Sequence, residues 1–250
     1  MTEWQRALRA GLVSIALIST MAACQTRSIS NSGYEAGNAY VGGHYPYPGY
    51  ARDKLYRGEL AELDVLGIDT TGDIDNAKIT RTRAEYRRPA LRRGSSVLLV
   101  QSGAMLPDEA MSQALGPYFD VQPFSGVPEG GRVYATALRL AAARAGADTV
   151  ICYWGVLESA VEREGTKVVS WVPIIGTFIP DETQHMRIRL KVAVIDVRSG
   201  DWSVFAPDSR SDSALSANLD RGGSDQRQVL ALKAMAYKAA AEQLVASYAP

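Results

Sequence analysis

Two cysteines and two histidines in 250 residues leave little material for metal or nucleophile chemistry. A cysteine-ligated zinc site needs several thiolates, and a helical two-histidine zinc motif needs a pair; Cys24, Cys152, His44 and His185 offer neither. The chain has no G-x-S-x-G nucleophile elbow and no glycine-rich phosphate loop ending in lysine, so no cofactor is implied. Charge of one sign is also missing: 27 basic groups face 27 acidic ones, which argues against a nucleic-acid partner. A helix that spans a bilayer needs roughly 20 consecutive apolar residues, and the run from Ala10 to Ala23 falls short. What remains, 46% hydrophobic and 22% charged, is ordinary globular composition.

That apolar run follows Arg6 and Arg9 and ends Met21-Ala22-Ala23-Cys24 before polar Gln25, Thr26, Arg27 and Ser28. It reads as a secretion signal over residues 1–23. Its end resembles the bacterial lipobox, with Met21 where leucine is usual; the resemblance implies diacylglycerol on the Cys24 thiol and cleavage just before it. A plain secretory peptide or an uncleaved apolar anchor are the alternatives. Several acyl chains on one cysteine hold a protein to a membrane, at about 0.8 kcal/mol per buried CH₂. By resemblance to lipoprotein sorting in Gram-negative bacteria, Gln25 in place of aspartate after the cysteine implies delivery to the outer membrane, on the periplasmic side. Loss of Arg6, Arg9 and Glu3 leaves 25 basic and 26 acidic groups. Cys152, between Ile151 and Tyr153, then has no disulfide partner and is expected to be a buried thiol.

Residues 24–54 are rich in Ser, Asn, Gly, Tyr and Pro, with Tyr40–Tyr50 reading YVGGHYPYPGY, and are expected to be a flexible tether reaching on the order of 30 Å. Its tyrosines could meet headgroups or glycan, or serve only as spacer. Residues 55–94 form a helical and turn-rich basic segment. The acidic turn from Asp69 to Asn76 fits no EF-hand register. Beyond it stand Arg81, Arg83, Arg87, Arg88, Arg92 and Arg93 against Glu85 alone. Arg87, Arg88, Arg92 and Arg93 are candidates for binding an anionic surface or an acidic partner, the bland alternative being a solvated helix face.

Residues 95–250 predict an α/β domain with a mixed sheet, helices packed on it in two or three layers, a C-terminal hairpin and a closing helix. Strands are expected from Ser96, over Tyr118–Gln122, Thr149–Val161, Lys167–Val172, Met186–Val197 and Trp202–Phe205. Helices are expected over 107–115, 132–145 and 225–248, the last burying Val229, Leu232, Met235, Ala236, Ala239 and Leu244. Between strands lies Trp171–Pro180, apolar where a connection should be polar. Ile175, Phe178 and Ile179 are candidates for docking a protein partner or a second copy; folding back over the domain's own core and bilayer insertion are the other readings.

Ala145-Gly146-Ala147-Asp148 before a strand and Ile195-Asp196-Val197-Arg198-Ser199-Gly200 at the hairpin carry a further resemblance. Over about residues 95–248 the chain resembles the periplasmic lipoprotein superfamily that includes the curli secretion lipoprotein and the penicillin-binding-protein activators, with a TolB N-terminal-domain-like fold. The resemblance implies a non-catalytic assembly or regulatory factor of the envelope; the partners expected for the chain are the membrane, through the lipid on Cys24, and an envelope protein or a second copy, through contact. The enzymatic alternative is a peptidase or other hydrolase with His185 as base, Asp196 or Asp181 orienting it, and a serine such as Ser102 as nucleophile.

Overall fold

Val97–Val100, four apolar residues between Gly94 and Gly103, can bury both faces only as an inner strand of a sheet covered on both sides. In the computed structural model this is so. The structure describes residues 27–31, 59–68, 72, 74–127, 134–161, 170–173, 184–214 and 221–249. The elements are β1 (Arg27–Ser28), α1 (Glu62–Leu66), α2 (Asn76–Glu85), β2 (Ser96–Gln101), α3 (Glu109–Leu115), β3 (Asp120–Phe124) and α4 (Tyr134–Arg144). There follow β4 (Thr149–Val161), β5 (Ser170–Pro173), β6 (Gln184–Asp196), β7 (Trp202–Phe205), β8 (Arg210–Ala214) and α5 (Arg221–Tyr248).

The sheet runs β3-β2-β4-β6-β7, the first two pairings parallel and the rest antiparallel. Strands β4 and β6 pair along their whole length, from Thr149↔Asp196 to Val161↔Gln184. Thirteen residues at about 3.3 Å each make these strands roughly 40 Å long, far longer than β2 or β7. Their overhanging half carries β1 and β5 on the free edge of β4 and β8 on that of β6.

One face of the sheet, with Val97, Leu99, Ile151, Tyr153, Leu157, Ile188 and Val192, packs against α3 and α5. The other, with Leu98, Val100, Val150, Cys152, Ala193 and Ile195, packs against α1 and α4. The result is a mixed α/β sheet with helices on both faces and a long C-terminal helix. The quoted motifs are turns: Gly146 takes φ 75 after α4, and Asp196 accepts the Ser199 N–H at 2.7 Å ahead of Gly200 at φ 80. Arg139 of α4 donates to the carbonyls of Val197 and Arg198, tying helix to hairpin.

Several expectations are corrected. Tyr118 and Phe119 hydrogen-bond back to Leu115, so β3 starts at Asp120. On α5, Met235 is 45% exposed; the buried stripe is turned toward Lys233, Tyr237 and Ala241. Arg87–Arg93 are not helical: Arg88 precedes Pro89, which disfavours helical backbone, and α2 stops at Glu85. Residues 27–31, assigned to the tether, are part of the domain: β1 pairs with β4, and Ile29 and Ser30 are buried.

Candidate functional site at the carboxyl end of the parallel strands

In open α/β sheets, ligands sit in the crevice beyond the carboxyl ends of the parallel strands. Here β2 ends in Gln101 and Ser102, and the loop to α3 turns through Gly103, at φ 77. Gly126 lies against this loop so closely that a Cβ would sit 1.8 Å from the Gln101 carbonyl oxygen. Asp108, at the start of α3, is drawn inward. Its carboxylate meets the Lys233 ammonium from α5 at 2.9 Å, with side-chain exposures of 0% and 1%. Tyr237, one turn further along α5, donates to the same oxygen, Oδ2, while Oδ1 is buried without a hydrogen-bond partner. The Asp108 N–H and the Tyr153 hydroxyl both donate to Gln101 Oε1 at 2.6 Å, and the rings of Tyr153 and Tyr237 meet edge to face.

The crevice is filled by the chain itself. The Ile29 carbonyl accepts from Lys233 at 3.0 Å. Ser30 accepts from Gln101 Nε2 at 2.9 Å and donates to the Ser102 carbonyl at 2.6 Å. The Ser102 hydroxyl donates to Glu59 at 2.7 Å and accepts the Leu60 N–H at 2.8 Å. Ser102 is thus a buried structural serine. His185 does not approach it: Ser102 bonds to the Tyr153 carbonyl, whereas His185 pairs with Ala160, seven residues along β4 or roughly 23 Å away. Asp196 pairs with Thr149 at the opposite end of β6 from His185, and Asp181 lies outside the described residues.

A second polar group marks the overhanging half of the sheet, on the face away from α5. Glu158 pairs with Arg187 at 2.5 Å and Arg189 at 2.6 Å, while Lys191 reaches Glu62 on α1. Burial pushes the Glu158 carboxyl up, but hydrogen bonds and charge from the two arginines outweigh it and hold the group below its ordinary value. Burial, helped by Glu59, raises the Cys152 thiol well above its own, which keeps it protonated and unreactive.

The arginine candidates divide. The Arg88 guanidinium lies 4.6 Å from the centre of the Tyr248 ring, and Arg93 lies over Tyr118 and donates to the Ala249 carbonyl at 3.4 Å. With Leu91 N–H bonded to the Tyr248 carbonyl, these residues strap the carboxyl terminus of α5, where the helix dipole favours cations. Arg87 caps α2 by donating to the carbonyls of Ala84, Glu85 and Tyr86, and Arg92 is exposed. Asp75, from the acidic turn, caps the start of α2 through the Lys78 N–H. Cys24, Ile175, Phe178 and Ile179 lie outside the described residues. Among the described residues, no group of three or more His, Cys, Asp or Glu is placed to hold a metal, and no helix is long and apolar enough to cross a membrane.

Sequence reasoning missed Asp108, Lys233 and Ile29. Lys233 alone left a signal, a lysine four residues after Val229 on an otherwise apolar stripe.

Two solved structures from Paraburkholderia phytofirmans are similar in part. A variant PelC dodecamer shares 17% identity over 60% of this chain and 93% of that one, with a TM-score of 0.27. A second PelC dodecamer shares 16% over 60% and 91%, with a TM-score of 0.28. At such scores the likeness bears on neither fold nor function. No curated protein matches. A family model does, over residues 61–247, and on that match the chain belongs to the YafT bacterial lipoprotein family.

Proposed function

We propose that the mature protein starts at Cys24, carries lipid on that thiol, and works on the periplasmic side of the outer membrane as a non-catalytic assembly or regulatory factor. Membership of a bacterial lipoprotein family supports membrane anchorage, and Gln25 after the cysteine supports the outer membrane. The observation that carries the non-catalytic part is the filled crevice. The groups that a ligand would meet at the end of β2 are bonded to the chain's own residues, Ile29, Ser30, Glu59 and Leu60. Action then falls to surfaces. The surface assigned here is the apolar run with Ile175, Phe178 and Ile179, whose support is its composition, and its occupant is an envelope protein or a second copy of the chain.

The test places a photoreactive residue at position 178 in the full-length protein in its native envelope. The expected result is a discrete product of defined mass, either with another polypeptide or with a second copy, that disappears in an Ile175→Asp background with unchanged protein level. Cross-links confined to lipid or to the same chain would contradict the docking surface. An envelope hydrolysis that is lost on His185→Ala would contradict the non-catalytic reading.

A further inference from the structure

We propose that Arg27–Ser30 is a latch, acting in cis, that holds the lipid-bearing N-terminus on the edge of β4, so that the sheet end carrying β1, β5 and β8 faces the phospholipid bilayer and the arginine strap faces away from it. The proposal rests on the reading of Cys24 as the lipidated residue.

Three independent contacts hold the latch. Its backbone extends the sheet, Arg27 opposite Leu157 and Ser28 opposite Val156. Ile29, 1% exposed, fills the space left by Gly155, where a Cβ would come within 2.7 Å of both Ile29 Cδ1 and Leu190 Cδ2. The Ile29 carbonyl and the Ser30 hydroxyl are tied to Lys233, Gln101 and Ser102.

Cys24 precedes Arg27 by three residues, and a fully extended chain covers at most about 3.6 Å per residue. The Cys24 Cα can therefore lie no more than roughly 11 Å from that of Arg27, so the anchor is not at the end of a 30-residue coil. Because β1 is antiparallel to β4, the step from Ser28 back to Arg27 points toward the carboxyl end of β4, where Glu158 pairs with Pro173. Arg187 and Arg189 share the single carboxylate of Glu158, so the three groups leave one positive charge on that half, Arg189 being 55% exposed. The arginine strap precedes Ser96, beside the first residue of β4, Thr149. Eight residues of strand, about 26 Å, separate Thr149 from Leu157. An anchor this short keeps Arg88, Arg92 and Arg93 at the far end of the domain from the lipid.

The test uses the full-length lipidated protein in phosphatidylethanolamine–phosphatidylglycerol vesicles. Ser28→Cys with Val156→Cys places two thiols at directly paired positions within disulfide reach. Mild oxidation is expected to close the bond within one chain nearly completely; no bond, or a bond between copies, overturns the latch. Fluorophores on Arg189→Cys and on Arg92→Cys are then compared with nitroxide on the lipid headgroups. Several-fold stronger quenching at 189 is expected, and equal or reversed quenching overturns the orientation. If the disulfide closes in a chain whose N-terminal peptide carries no acyl mass, the lipid reading of Cys24 fails and takes the bilayer-facing part of the proposal with it.

Discussion

Lys233→Met removes one partner from a buried pair while keeping most of the side chain's volume. The ammonium donates to Asp108 at 2.9 Å and to the Ile29 carbonyl at 3.0 Å, and neither charged side chain is more than 1% exposed. After the change the Asp108 carboxylate keeps only the Tyr237 hydroxyl on Oδ2, and Oδ1 stays without a partner. Removing one member of a buried ion pair costs about 3–5 kcal/mol, because the other charge stays out of water. For a chain of this size each kcal/mol moves the melting temperature by about 2–4 °C, so a drop of roughly 6–20 °C is expected. Asp108→Asn combined with Lys233→Met removes both charges and should cost clearly less than the two single changes added together. Thermal unfolding of the four proteins by circular dichroism gives this coupling. A Lys233→Met protein within about 1 kcal/mol of its parent, or single effects that simply add, would refute the reasoning.

Glu158 contributes stability that is full above its unfolded value near 4.5 and is lost as pH falls through its lower folded value; Glu158→Gln should therefore melt lower at neutral pH and show a shallower acid decline in a pH series of melts. Arg88→Gln, which loses the stack on Tyr248, should cost about 0.5–1 kcal/mol, whereas Arg92→Gln at an exposed position should stay within about 0.5 kcal/mol in the same denaturant titration. Gly155→Ala should cost about 1–3 kcal/mol by crowding Ile29 and Leu190, and Ile29→Ala in the same chain should recover part of that loss.

The centre of the sheet is legible wherever pattern is local. Val97–Val100 between glycines, Thr149–Val161 and Trp202–Phe205 stand at the expected places, because runs rich in β-branched and aromatic residues and bounded by turn residues leave few alternatives. The latch left no such mark. Two strand residues in a polar segment find their partners about 130 positions later, beside a glycine whose purpose shows only when Ile29 is seen against it. Asp108 precedes α3, where an acid is expected to meet the helix N–H groups, but its carboxylate turns to Lys233 instead. The arginines read as a free basic face because charge density is visible in sequence and the Tyr248 ring beneath Arg88 is not.

The account rests most heavily on Cys24, and intact mass analysis of the N-terminal peptide from the native envelope tests it directly. The expected peptide begins at Cys24 and carries acyl mass on that residue, and Cys24→Ser is expected to leave residues 1–23 attached and abolish lipid labelling. An unmodified N-terminus at any other residue would contradict the claim that this chain acts as a lipid-anchored protein.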